Sequence, residues 1–338
     1  MDNILNKTLA ELRQEFKALG LPAFRSRQVY SWLHKKQARD LEEMTDLPKE
    51  LRQELKKKYA VRCLVTKDTA RARDGTTKYL FELADGSLIE SVLLKDETGR
   101  QTVCLSTQAG CGQGCLFCAT GSLGFKRDLT PAEIVSQVYL ISREAQDISN
   151  IVYMGMGEPF LNYDNVIKSL RLLTDKQGAN FGQRKLTVST CGIPKGIRRL
   201  AEEGLQVRLA VSLNSANDTV RSRLMPINRR HSLACLRQAL VYYLKKTGRR
   251  ATLEYIMLDQ VNDRPEDLKD LKKFCAGLDV NVNIIPFNPF GKKFRPSKPA
   301  AIRHFRNGLA TARVNAVVRK SKGTDILAAC GQLAGGKR

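Results

Sequence analysis

Along the first sixty residues, apolar positions recur every three or four residues, the spacing of a helix with one buried face. LNKTLAELRQEFKALG (5–20) predicts a first helix, stopped by Gly20 and Pro22. FRSRQVYSWLHKK (24–36) and LPKELRQELKKKY (47–59) predict two more, each ending in lysines that suit a helix C-terminus. The rhythm then shortens: TTKYLFEL (76–83) and GSLIESVLL (86–94) read as strands joined by the Asp85-Gly86 turn. From about residue 100, six apolar strand-like runs follow: 102–106, 150–155, 185–190, 207–213, 252–258 and 282–287. Helical patterns such as PAEIVSQVYLISREA (131–145) and LACLRQALVYYLKK (233–246) separate them. Strands alternating with helices predict an α/β fold of parallel βα units. Six strands fall short of the eight of a closed barrel, so a partial (βα)6 barrel is expected, its chemistry at the C-terminal strand ends. The expected organisation is a helical basic module (1–60), a connecting hairpin (61–99), the barrel core (100–290) and a basic C-terminal extension (291–338).

Composition narrows the class. The chain has 338 residues, 42% hydrophobic and 27% charged, as expected of a folded water-soluble protein. No apolar run approaches the roughly 20 residues of a membrane span. The N-terminus lacks the apolar core of a signal peptide, so a cytoplasmic protein is expected. Fifty-seven Lys and Arg against 34 Asp and Glu leave a net charge of +23. Such an excess points to a polyanionic partner, foremost nucleic acid. It is uneven: residues 291–338 hold twelve Lys or Arg and one acid, Asp325, and RSRLMPINRR (221–230) adds Arg221, Arg223, Arg229 and Arg230. Nine cysteines, an odd number in a chain expected to be cytoplasmic, favour metal or redox chemistry over a disulfide framework.

The densest chemistry is GCGQGCLFCATG (110–121), with Cys111, Cys115 and Cys118 just after the first barrel strand. A structural zinc site takes four ligands, and neither a second cysteine pair nor the three histidines (34, 231, 304) supply a fourth at ligand spacing. A [4Fe–4S] cluster held by three thiolates keeps one iron open, and an open metal position is where a substrate binds. After the second strand, MGMGEP (154–159) carries glycines that permit close backbone approach, and Glu158 can hold an ammonium group. Ser189 and Thr190 end the third strand, Ser212, Leu213 and Asn214 the fourth, and Asn288 follows the sixth. Each can contact a ligand there; such turns and polar strand ends also serve simply as caps. Cys104 lies seven residues before the loop, and Cys330 sits in GTDILAACGQLAG (323–335), a glycine-flanked terminal segment with little core to join. A cysteine there is freer to react than a buried one.

The C-x3-C-x2-C spacing resembles the signature of the radical S-adenosylmethionine (SAM) superfamily. The order of SLIESVLL, CLSTQAGCGQGCLFCATG, GMGEPFLNYDNV, STCGIP, VSLNSAND, IPFNPF and DILAACGQL is similar to that of its RlmN/Cfr class of RNA methyltransferases. LPAFRSRQVYSWLHKK and EEMTDLPKELRQEL resemble the RlmN branch. The resemblance implies one [4Fe–4S] cluster on Cys111, Cys115 and Cys118, and SAM held by Glu158, Pro159, Ser189, Thr190, Ser212, Leu213, Asn214 and Asn288. It implies that Cys330 carries the methyl group as S-methylcysteine and that Glu90 accepts a proton from the base. Cys104 would then release the product through a transient disulfide with Cys330. The implied substrates are adenosine 2503 of 23S rRNA and adenosine 37 of tRNA, methylated at C2; a reductant such as flavodoxin and a monomeric state are also expected. A Cfr-like C8 activity is the nearest alternative, and a non-catalytic Fe–S RNA-binding protein the alternative of another class. Cys191 and Asn214 depart from the class pattern, where Ser or Val and His are usual.

Overall fold

The computed structural model describes residues 2–145 and 147–336. Ten strands form one sheet in unbroken sequence order: β1 (Leu64–Arg71), β2 (Thr77–Leu83), β3 (Leu88–Lys95), β4 (Gln101–Cys104), β5 (Ile148–Tyr153), β6 (Leu186–Thr190), β7 (Arg208–Ser212), β8 (Ala251–Met257), β9 (Val280–Pro286) and β10 (Asn315–Val318). β1 to β4 pair antiparallel; β4 to β10 are all parallel. A parallel run of this kind, open at β10, forms a partial barrel. β7 is apolar through its middle because both of its faces are covered: Leu209, Ala210 and Val211 are all at most 1% exposed. Crossover helices begin where the sequence marks them. Pro131, Pro194, Pro265 and Pro299 each open a helix, and Thr130 with Glu133 closes a capping box on the first. Among the described residues no helix is long and apolar enough to cross a membrane.

The N-terminal helices, Leu9–Ala18, Ala23–His34 and Lys49–Lys58, turn their leucines inward and dock on two crossover helices of the barrel. His34 Nδ1 lies 2.8 Å from the Tyr139 hydroxyl, Asn6 Oδ1 accepts from the Ala132 N–H at 2.9 Å, and Lys168 pairs with Glu11 at 2.7 Å.

Three features differ from the sequence expectation. The connecting segment holds a further strand, β1, whose VTKDTAR run is polar because this edge strand faces solvent. The extension after residue 290 is not merely a basic tail: helix Pro299–Thr311 and β10 add a seventh parallel strand. β10 is short and half exposed, with Val317 at 52%, and its apolar run of three residues between Asn315 and Arg319 falls short of a strand signal. Finally, the Cys330 segment does join the core. Ala328, Ala329 and Leu333 are 4–6% exposed, because the chain folds back across the C-terminal ends of the strands.

Candidate active site

The cysteine loop hangs from a two-stranded hairpin, Gln108–Cys111 against Gly124–Asp128. Gly110, at φ +76°, lets this hairpin close: a Cβ there would lie 2.0 Å from the Gly124 carbonyl oxygen. A buried network ties the loop's entrance to its neighbours. Ser106 Oγ donates to the Glu90 carbonyl at 2.6 Å and accepts from the Met156 N–H at 2.8 Å, while Gln137 brackets the Ser106 backbone at 2.8 and 2.9 Å.

The MGMGEP turn packs directly on that entrance. A Cβ on Gly155 would sit 2.7 Å from the Leu105 carbonyl, and one on Gly157 (φ +101°) 2.6 Å from Gln108 Cβ. The glycines therefore permit loop-on-loop contact here. Glu158 is thereby buried at 3% exposure. Its Oε2 accepts from the Cys191 N–H at 2.6 Å and its Oε1 from the Phe160 N–H at 3.0 Å, and burial pushes the carboxyl up from its ordinary range.

Cys111, Cys115, Cys118, Glu158, Pro159, Ser189, Thr190, Ser212 and Asn214 all line one cavity of about 160 Å³ at the strand ends. Asn214 sits at φ +55° with its Oδ1 accepting from the Ile256 N–H at 3.0 Å. Leu213 is fully buried and stands behind the wall. Asn288 faces instead an adjoining cavity of about 560 Å³, shared with Cys104. Cys330, Arg319, Cys118 and Met154 lie on the wall common to both.

The donor set suits an iron–sulfur cluster. Burial raises all three loop thiols, Cys111 to about 11, and a bound cation would reverse that by stabilising the thiolates. Among the described residues no three His, Cys, Asp or Glu side chains converge at a single-ion distance. A cluster that gives each thiolate its own iron does not need them to.

Cys104 is 9% exposed, and burial pushes its thiol up to about 12. All nine cysteines are free thiols, so the implied Cys104–Cys330 disulfide is absent from this state; the two share a cavity without being bonded. Glu90 lies apart from both cavities. Its Oε1 pairs with Lys78 Nζ at 3.2 Å, and its Oε2 accepts from the N–H groups of Ala334 and Gly335 at 2.7 and 3.1 Å.

Sequence reasoning missed several site residues. Arg319, just past β10, stands between the cavities, where the Cys330 sulfur, with Glu254 and Cys104, holds its guanidinium firmly protonated. Glu254, on β8, is 5% exposed and lines the smaller cavity; its Oε2 has no hydrogen-bond partner among the described residues. Position at a C-terminal strand end was the available signal for Arg319, but without β10 it read as one more tail charge. Arg221 is a correction. Read as part of a surface basic knot, it is fully buried and clamps the site, donating to the carbonyls of Leu213 (3.0 Å) and Cys191 (2.6 Å) and to Asn228 Oδ1 (2.8 Å). Arg223, Arg229 and Arg230 remain exposed.

Comparison with known proteins agrees with this geometry. Residues 105–275 match the family model described as the radical SAM superfamily, and residues 2–61 match the ribosomal RNA large subunit methyltransferase N-terminal domain. A dual-specificity RNA methyltransferase RlmN of Anaeromyxobacter dehalogenans is 47% identical, over 94% of this chain and 87% of its own. A probable dual-specificity RNA methyltransferase RlmN of Thermosipho melanesiensis is 46% identical over 98% of both. A crystal structure of a radical SAM methyltransferase from Sphaerobacter thermophilus superposes with a TM-score of 0.95 at 42% identity, covering 99% of this chain and 100% of the other. With the three-cysteine loop, the open parallel sheet and the docked N-terminal helices all accounted for, the chain belongs to the RlmN family of radical SAM methyltransferases.

Proposed function

We propose that this protein methylates C2 of adenosine in RNA, at adenosine 2503 of 23S rRNA and adenosine 37 of tRNA, in the cytoplasm. The observation that carries the reading is the placement of Cys330 on the wall between the cysteine-loop cavity and the larger cavity holding Cys104. Cys111, Cys115 and Cys118 are the residues that would hold one [4Fe–4S] cluster, and Glu158, Pro159, Ser189, Thr190, Ser212 and Asn214 those around SAM. When bound, the cluster and SAM supply a methyl group and a hydrogen-abstracting radical.

The chain's own groups handle the rest. Cys330 carries the methyl as a thioether, where it faces both the cofactor side and the larger cavity, whose volume suits a nucleoside. Once that carbon is joined to C2 of the base, Glu90 is the group that takes the C2 proton, and the odd electron left by radical addition would pass to the bound cluster. The Cys104 thiolate then attacks the Cys330 sulfur. An S–S bond forms as the S–C bond to RNA breaks, and the electron pair left on carbon takes a proton to complete the methyl group. Thiol exchange reopens the disulfide, and a reductant such as flavodoxin is the electron donor. Arg319 lines the cavity beside Cys104, and its charge partly offsets the burial that raises the Cys104 thiol.

Anaerobic reconstitution followed by an assay for 5′-deoxyadenosine, S-adenosylhomocysteine and 2-methyladenosine tests the proposal; 8-methyladenosine in place of 2-methyladenosine overturns the assigned position. Cys330→Ala is expected to retain RNA binding and lose turnover. Cys104→Ala is expected to accumulate protein covalently joined to RNA.

A further inference from the structure

We infer that Glu90 and Lys78 form a buried latch for the Cys330 segment, so that release of this segment and availability of Glu90 to a proton are one event. The inference rests on the roles of Cys330 and Glu90 proposed above.

Lys78 and Glu90 stand on adjacent antiparallel strands, β2 and β3, where Lys78 faces Val92 and Leu80 faces Glu90. The two are thus diagonal neighbours. They are 6% and 3% exposed, and their charged atoms are 3.2 Å apart. Both also reach the terminal segment. Lys78 Nζ donates to the Leu327 carbonyl at 3.4 Å, three residues before Cys330. Glu90 Oε2 accepts from Ala334 at 2.7 Å and Gly335 at 3.1 Å, beyond Cys330. One ion pair therefore holds the segment on both sides of its reactive sulfur.

The other bonds from the fold to residues 327–335 are neutral: Thr120 Oγ1 to the Leu333 carbonyl, the Ala119 N–H to the Gly331 carbonyl, Asn288 Nδ2 to the Cys330 carbonyl, and Gln332 Nε2 to the Pro289 carbonyl. Hydrogen bonds to an ionised group are the stronger kind. Gly335 sits at φ +57°, and a Cβ there would lie 3.1 Å from the Leu88 carbonyl, so the seat is built for close backbone approach.

The geometry makes docking and proton transfer exclusive. Oε1 is held by Lys78 and Oε2 by two amides, and the carboxylate lines neither cavity. With the segment seated, Cys330 and Gly331 form part of the smaller cavity's wall, and that cavity falls below the roughly 300 Å³ of ordinary ligand sites. When residues 334–335 lift away, Oε2 loses both donors and is the free acceptor nearest the released segment. Glu90 Oε1 stays paired with Lys78 Nζ.

Hydrogen–deuterium exchange of the reconstituted protein reads the latch at residues 331–336. Lys78→Met combined with Glu90→Gln removes both charges without burying either alone, which guards against misfolding. Exchange in this segment is expected to rise about tenfold or more, while helix Pro131–Ile141 keeps wild-type protection. Lys78→Arg, which retains a donor for Glu90 and Leu327, is expected to restore slow exchange. Unchanged protection in the double variant overturns the latch, whatever happens to turnover. In the wild type, SAM with a 23S rRNA hairpin fragment is expected to release protection at 334–335; protection that persists overturns the coupling. Full turnover in Glu90→Gln alone sinks the proton-acceptor role and leaves the latch standing, so the two readings fail separately.

Discussion

His34 is fully buried between Tyr30 and Tyr139, where the N-terminal module meets the barrel. Burial depresses its pKa from 6.5 to about 3. The folded state therefore keeps His34 neutral while the unfolded chain takes a proton below about pH 6.5. Its contribution is intact above that value and drains away as pH falls toward 3, the unfolded state being the one that binds more protons. Between pH 7 and pH 5 the loss amounts to about 2 kcal/mol. Urea unfolding at both values should show His34→Gln escaping this loss, so that the stability gap to wild type narrows by about 2 kcal/mol on acidification. A constant gap would mean that His34 is not neutral in the fold. Arg221 makes a second residue-scale case. Arg221→Met would strand the carbonyls of Leu213 and Cys191, with an expected cost of about 3 kcal/mol in the same unfolding measurement.

Among the elements, the hairpin below the cysteine loop carries the sharpest consequence. Gly110 precedes the first ligand candidate and pairs with Phe125 across the hairpin, where the Gly124 carbonyl approaches it too closely for any side chain. Gly110→Ala adds a strained positive φ to a 2.0 Å clash with main chain, which has no flexible end to move aside. The expected outcome is loss of the hairpin register and with it the spacing of Cys111 from Cys115 and Cys118. Iron and sulfide analysis after reconstitution should find most of the cluster missing, while circular dichroism of the helices stays near wild type. The cysteine spacing itself was readable from the chain, because three thiols within eight residues need no tertiary information to be noticed. The hairpin that presents them was not, since QAGC and GFKRD are too short and mixed to show a two-residue period.

At the scale of the whole molecule, the net charge of +23 predicts RNA binding that weakens steeply with salt. If about six phosphates of an unpaired strand are neutralised, raising NaCl from about 50 to 200 mM should weaken binding about 300-fold. Filter binding across that range checks it, and a flat response would mean that the charge faces something other than RNA. Arg223, Arg229 and Arg230 are exposed and available for such contacts, whereas Arg221 is committed to the interior. A charge count cannot separate the two, because an arginine that clamps carbonyls and one that meets phosphate look alike in sequence.

Periodicity and spacing determined the alternation of strands and helices, the helical N-terminal module and the three-cysteine loop, all local properties of the chain. They also placed Glu158 and the strand-end serines at the C-terminal ends of the strands, since parallel βα units put every C-terminal strand end on one side. Only the tertiary structure decided which of these groups meet. It brought Cys330 from the far end of the chain to the cavities of Cys118 and Cys104, and moved Leu213 behind the wall. It also fastened Glu90 to Lys78 and to Ala334 and Gly335, 244 residues and more away in sequence. The physical reason is that a backbone amide gripping a carboxylate leaves no trace in residue type. Ala334 and Gly335 are recognisable as partners of Glu90 only once the chain has folded back over the sheet.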